Sequence, residues 1–312
     1  MNLSSFPRNV DKRMSIKELA SCLPGAFSLL GSPKIMIGSI GSPQECQADS
    51  LIFFRSQEKN ELQMNATGCN AGAMVVNHPI EVHSHQSLLV TPDPLALFIK
   101  ALGILFITKN SSAIDPSAQI SESAQVAPTV SIGPNAVIEA GVRIDEDCSI
   151  GANCFIGEST HIDKGTVIQN NVSIGGVGLG FHFEEDGTRL FFPHLGAVRI
   201  GAHAVIGSGS VVVRGQLSDT IIGAGTRLGN LVNVGHNVQI GKNCAISSGT
   251  SFAGGASVGD DCQFGIGVCV NAKITIASQC KIGMGTVVTK SLPKAVSVFG
   301  NPAKPLPTMG NF

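Results

Sequence analysis

SIGPNAVIEAGVRIDEDCSIGANCFIGESTHIDKGTVIQNNVSI, residues 131–174, places a branched aliphatic side chain at every sixth position, from Ile132 and Ile138 through Ile168 and Ile174. An α-helix needs apolar residues every three or four positions and a half-buried strand every two, so a period of six excludes both as the repeating unit. The spacing predicts a parallel β-helix. Each hexapeptide makes one short strand and one turn, three hexapeptides close a triangular coil of about 18 residues, and the in-phase aliphatic points at the axis. The phase begins at Ile114, resumes at Ile200, Ile206 and Val212, and runs again from Ile222 to Val288, which is enough for eight to nine coils.

Two stretches break the beat. The 25 residues GGVGLGFHFEEDGTRLFFPHLGAVR, 175–199, cannot fit in a coil and are expected as an extruded loop. RGQLSD, 214–219, adds four residues to one corner. Loops expelled from a rigid scaffold are common carriers of binding groups, and both breaks fall within a few coils of His236.

Residues 1–108 lack the beat and are expected to form a separate small α+β domain, followed by the β-helix at 109–290 and a tail at 291–312. Ser15 with Glu18 three residues on forms a capping box that opens a short helix. KIMIGSI, SLIFFRS, AGAMVV and SLLVT read as strands between turn residues. Asp93 and Pro94 start a helix that runs to about Phe106. TKNSSAIDP, 108–116, is the linker.

Composition narrows the class of partner. Lys and Arg number 21 against 22 Asp and Glu, a net charge of −1, so there is no electrostatic case for nucleic acid or an acidic membrane surface. The longest apolar run, residues 94–107, is too short to span a bilayer and carries Lys100. No secretory signal is visible in MNLSSFPRNVDKRM, so a cytoplasmic location is expected. The nine cysteines form no CxxC pair. Cys148, Cys154, Cys244, Cys262 and Cys280 occupy equivalent places in the hexads, as small buried fillers would in a reducing compartment. No clustered metal ligands are evident, and no metal or cofactor is expected.

Beyond the bare repeat, an ordered series of motifs resembles one family over nearly the whole chain. SIKELASCL, DSLIFF and AGAMVV, then GLGF, PHLG at 193–196, RGQLSDTIIG, NLVNVGHNVQIG and FAGG, resemble the UDP-3-O-(3-hydroxyacyl)glucosamine N-acyltransferases of lipid A biosynthesis. The resemblance implies a left-handed β-helix, a homotrimer with active sites in the clefts between neighbouring solenoids, a nucleotide-sugar substrate and an acyl carrier protein as donor. It also implies a uridine-binding role for the N-terminal domain, with Phe53 and Phe54 where the family stacks the uracil ring; the Tyr that the family uses nearby is absent. For both phenylalanines a place in a core strand is the competing reading.

Transfer of an acyl group from a thioester to an amine needs a base for the proton of the attacking nitrogen and a donor for the tetrahedral oxyanion. Imidazole titrates near neutrality, and His236 stands two residues after the inward-pointing Val234, at a corner, so it is the candidate base. Gly254 lies eighteen residues on, one coil higher, and the resemblance assigns that position the oxyanion role. Phe181 and His182 of the extruded loop are candidates for the sugar pocket. Asn233 and Asn237 are candidates for hydrogen bonds to sugar or pantetheine amides, and Met284 for a limit on acyl-chain length. His161, His194 and His203 carry no motif that assigns them a task.

The chain departs from the family at several places. Gly229 and Val213 stand where an Asp is usual, and Asn271, Ala272 and Lys273 replace an Asn-Gly-His. VVTKSLPKAVSVFGNPAKPLP resembles the closing segment of coenzyme A-dependent hexapeptide acetyltransferases acting on amino sugars. N-acylation of another nucleotide-linked amino sugar with acyl-coenzyme A is therefore the second reading, and a non-catalytic sugar-binding scaffold the third.

Overall fold

The computed structural model describes residues 8–56, 58–66, 68–106 and 113–305. The chain divides into two compact units, Met1–Lys109 and Asn110–Phe312. Most of the linker expected at 108–116 lies outside the described residues.

The first unit is a mixed six-stranded sheet. In chain order its elements are β1 (Arg8–Ser15), α1 (Ile16–Cys22), β2 (Ser28–Gly31), β3 (Met36–Ile40), β4 (Ser50–Phe53), α2 (Lys59–Ala66), β5 (Ala73–Val76), β6 (Ser87–Val90) and α3 (Pro94–Leu105). The strand order is β1-β3-β4-β5-β6-β2, parallel through β3-β4-β5-β6 and antiparallel at both edges. Successive residues of a strand face opposite ways, so the central strands feed two cores. Leu51, Ala73, Val75 and Leu89 pack with Ile16 and Leu19 of α1 and Leu97, Phe98 and Ala101 of α3. Ile52, Met74, Val76 and Leu88 pack with Leu62 and Ala66 of α2 on the other face. The capping box of α1 forms as expected: the Glu18 N–H donates to Ser15 Oγ at 3.2 Å and the Ser15 N–H to Glu18 Oε2 at 2.7 Å. Sequence reading missed α2, β1 and β2. Lys59–Ala66 is mostly polar and buries only Leu62 and Ala66, so it has no apolar stripe to announce a helix.

The second unit is a left-handed parallel β-helix. Its strands fall into three sheets of nine, eight and ten, which makes about nine coils. The first face carries strands such as Val137–Ile138, Asn233–Val234 and Ser251–Phe252, the second Arg143–Ile144 and Gln239–Ile240, and the third Ser149–Ile150, Ala245–Ile246 and Lys281–Ile282. Partners in adjacent regular coils are eighteen residues apart, as in Ile138 with Ile156 and Val234 with Phe252. The in-phase side chains form one continuous core, from Ile132 to Val298. A second period of six runs beside it: three residues after most of the in-phase positions the backbone turns left-handed, and Asn, Asp or Gly usually takes that place, as at Asn135, Gly141, Asp147 and Asn153. Those residue types tolerate positive φ, and they turn the prism's corners. The cysteines of the hexads are buried, and burial pushes the Cys148 thiol up to about 11.

The breaks fall where the beat failed. Ile162 pairs with Ile200 and Ile174 with Val212, so one coil carries the extruded segment, which folds into a hairpin of Phe181–Phe183 against Arg189–Phe191. The solenoid does not stop at 290 as expected. Leu292 bridges to Ile276, and Ser297–Phe299 pairs in parallel with Lys281–Ile282. The spacing there is sixteen rather than eighteen, because two residues are missing from a corner, and that hid the last coil from a search for sixes.

Axial and outward positions therefore differ sharply in cost. Ile162→Ala, at a fully buried site, should destabilise the second unit by about 2–5 kcal/mol, whereas the outward-facing Val167→Ala should change it by no more than about 0.5 kcal/mol. Denaturant unfolding followed by hydrogen exchange in the solenoid measures both.

Candidate active site around His236

His236 lies in the turn between Asn233–Val234 and Gln239–Ile240, so it occupies the corner where the first and second faces meet. It is half-buried. The next coil places Gly254 over it: the His236 carbonyl accepts from the Gly255 N–H at 2.8 Å, and a Cβ built on Gly254 would lie 2.4 Å from His236 Nε2. Gly254 does not adopt a left-handed φ, so the residue is needed there for space and not for backbone conformation. Among the described residues its N–H has no acceptor in the chain.

The protonation of the ring follows from its partners. Asn237 occupies the left-handed corner position, with φ 60°. Its Oδ1 accepts from the Gln216 N–H at 3.1 Å, and its Nδ2 donates to the Ser218 carbonyl at 2.7 Å and to Ser218 Oγ at 2.9 Å. A backbone N–H can only donate and a carbonyl only accept, so the orientation of the amide is fixed. His236 Nδ1, 3.0 Å from Asn237 Oδ1, must then carry a hydrogen, so in the neutral ring Nε2 is the acceptor, directly under Gly254. Asn237 was expected to reach substrate. Instead both ends of its amide are engaged inside the chain, and it orients the His236 ring.

Both breaks in the repeat converge here. The Leu195 and Gly196 N–H groups donate to the Gln216 and Gly215 carbonyls at 2.6 and 3.0 Å, which joins PHLG to RGQLSD. Arg214 Nε donates to the Gly196 carbonyl at 2.8 Å, so this arginine is a strut of the junction. Burial alone would raise the Asp219 carboxyl, but the Ala197 N–H and the Arg199 guanidinium hold it below the usual carboxylate range. His194, to which the sequence assigned nothing, packs edge-on against His236 with ring centroids 5.6 Å apart and planes at 81°. It is 6 % exposed, and its Nδ1 lies 3.0 Å from the Phe192 carbonyl, so Nδ1 carries the hydrogen. Its Nε2 is buried without a partner, an arrangement that costs on the order of 1–3 kcal/mol. The only hints in the sequence were a histidine between Pro193 and Leu195 in an otherwise apolar run and its place in the loop nearest the base.

The remaining candidates scatter. Asn233 is exposed on the first face. Phe181 and His182 stand exposed on the hairpin, where Arg189 covers the Phe181 ring at 5.2 Å, and no contact joins either residue to His236 among the described residues. Met284 sits at a different corner of the same prism, between the third and first faces. There it lines an apolar cleft of ≈ 510 Å³ with Phe264, Ile282 and Phe299. Phe54 is corrected outright: at 9 % exposed it belongs to the core under α2 and has no face free for a base. Phe53 is half-buried against Phe98, ring centroids 4.9 Å apart. One group able to hold a metal ion occurs among the described residues, Asp145, His161 and Asp163, at another corner again, with Arg143 already on Asp145 at 2.9 Å.

Comparison with known proteins bears on the repeat and the fold. Residues 219–254 match the family described as bacterial transferase hexapeptide (six repeats), and residues 124–146, 141–175 and 255–290 match the hexapeptide repeat of succinyl-transferase. UDP-3-O-acylglucosamine N-acyltransferase of Albidiferax ferrireducens is 40 % identical over 123 residues, 39 % of this chain and 37 % of that protein. A probable mitochondrial UDP-3-O-acylglucosamine N-acyltransferase 2 of Arabidopsis thaliana is 32 % identical over 140 residues, 45 % of this chain and 46 % of that protein. The chain thus spans less than half the length of these curated relatives. LpxA from Acinetobacter baumannii shares the fold, with a TM-score of 0.56 and 24 % identity over 62 % of this chain and 73 % of that one. The chain is a hexapeptide-repeat protein similar to the UDP-3-O-acylglucosamine N-acyltransferases.

The clearance above His236 is directly testable. Gly254→Ala should fold with a melting temperature a little below wild type, since the solenoid core is untouched but the new methyl meets three atoms of the His236 ring at 3.0 Å or less. The displaced ring should lower the rate of any reaction that His236 catalyses on the order of 10²-fold, measured by turnover beside thermal melting.

Proposed function

We propose that the chain is an N-acyltransferase that moves a 3-hydroxyacyl group from an acyl carrier protein thioester to the 2-amino group of a UDP-linked 3-O-acylglucosamine. The observation that carries this reading is the Nε2 of His236 directly beneath the Gly254 backbone, with Nδ1 committed as a donor to Asn237. A base and an oxyanion donor one coil apart are what aminolysis of a thioester requires.

In the mechanism, His236 Nε2 takes the proton of the amine as its nitrogen forms a bond to the thioester carbonyl carbon. The carbonyl oxygen becomes an oxyanion, and the Gly254 N–H is the donor that steadies it. The C–S bond then breaks, and the leaving sulfur takes the proton back from the imidazolium. Asn237 holds Nδ1 throughout and stabilises the imidazolium once it forms, because its Oδ1 accepts from the charged ring as well as from the neutral one.

His236 is half-buried in the single chain, and on this reading a neighbouring solenoid completes the cleft in a homotrimer. In that assembly the apolar cleft at Met284 of one copy is a candidate seat for the acyl chain beside the His236 corner of the next. Binding of the uridine falls to the first unit, with Phe53 and not Phe54 as the aromatic left for it. A cytoplasmic location suits carrier-bound acyl groups and nucleotide sugars. Coenzyme A as donor for another amino sugar is the alternative, favoured by the character of the closing segment.

His236→Ala should lower kcat on the order of 10²- to 10⁴-fold while trimer and substrate binding persist. For the wild type, kcat/KM should rise with pH as an imidazole loses its proton, because the neutral ring is the active form. Parallel assays with carrier-protein and coenzyme A thioesters decide the donor. A His236→Ala protein with normal kcat would remove the base from this reading.

A further inference from the structure

We infer that His194 is a positioning residue of the catalytic site: the extruded loop brings it against the His236 ring to hold that ring beneath Gly254. The inference rests on the reading of His236 as general base. It goes beyond that reading by giving the loop a task in the reaction, where the sequence had left only an insertion.

His236 has two ways to move. Asn237 fixes one nitrogen, but a single hydrogen bond lets the ring pivot about the line through it. The pivot is blocked on the ring's side by His194, whose centroid lies 5.6 Å away at a near-perpendicular angle. Such edge contacts between rings are directional, so the neighbour sets the angle as well as the distance. His194 is itself immobile. Its Nδ1 hydrogen is held by the Phe192 carbonyl, and a Cβ on Gly180 or Gly178 would come within 3.1 and 3.3 Å of its Cε1 and Nε2, so the loop's glycines close over the ring. The same loop is fastened to the corner insert at Leu195 and Gly196, and that insert is fastened to Asn237 at Gln216 and Ser218. The two insertions therefore form one bracket around the base, with Asn237 gripping an atom and His194 bearing on the ring. The buried Nε2 of His194 has no hydrogen-bond partner among the described residues, so the ring is tied into the loop through Nδ1 alone while it bears on His236.

The test compares His194→Ala with His194→Phe in the full-length protein. His194→Ala should lower kcat on the order of 10²-fold with KM little changed, since loss of alignment acts on the chemical step. His194→Phe, which keeps a ring at the contact, should restore most of that loss. Unchanged kcat in His194→Ala, or an equal loss in both variants, overturns the inference. A second readout needs no turnover: the rate at which diethylpyrocarbonate modifies His236, followed by peptide mass spectrometry, with thermal melting as the check on folding. Faster modification in His194→Ala, returning towards wild type in His194→Phe, supports the positioning role even if the assigned substrate proves wrong, and an unchanged rate in a folded His194→Ala overturns it.

Discussion

The register of eighteen residues between stacked coils is the constraint from which the rest of the second unit follows. Stacked coils exchange backbone hydrogen bonds in both directions, as where the Gly235 N–H donates up to the Phe252 carbonyl at 2.9 Å and the Lys273 N–H donates back to the Gly254 carbonyl at 3.1 Å. A slip of one residue would turn every axial aliphatic outward and every left-handed corner onto a residue that resists it. The same ladder sets the chemistry. Gly254 stands over His236 because 254 is 236 plus one coil, and no side-chain contact is needed to hold that relation.

A scaffold so regular offers identical corners, and a reaction needs one of them to be different. Here the difference comes from two interruptions that meet at a single corner. The longer one supplies His194 and the shorter one supplies the acceptors and donors for Asn237, and they are hydrogen-bonded to each other before either reaches the base. Insertions leave the ladder intact, as the direct pairing of Ile162 with Ile200 and Ile200 with Ile222 demonstrates. The solenoid therefore keeps its stability while the loops vary, and the precision of the site is inherited from the rigid corner beneath them.

Legibility in the sequence tracked periodicity. The coils, and the place of Gly254 one coil above His236, were readable because they are fixed by counting along the chain, whereas the roles proposed for the two residues came from the family resemblance. The capping box of α1 and the start of α3 were readable because local hydrogen bonding dictates them. What depended on a broken count was lost: the final coil, shortened by two residues at a corner, and α2, which has too few apolar residues to show a period. Phe54 was misread because an aromatic pair on a strand cannot be sorted into core and surface without knowing that both faces of the sheet are covered. His194 was out of reach for another reason. Its neighbour is forty-two positions away across an insertion, and nothing in the spacing encodes that meeting.

Asn237 illustrates how one side chain answers to both levels. The corner demands a residue that tolerates positive φ, and a glycine would satisfy it, as it does one coil above at Gly255. Asparagine satisfies the same demand and adds an amide whose two ends are then claimed by the corner insert. Because the insert fixes which end faces the imidazole, it also fixes which ring nitrogen keeps its hydrogen. The tautomer of the base is thus decided by Gln216 and Ser218, neither of which touches the ring, and a loop that looks like a slip in the repeat sets the direction in which a proton can be taken.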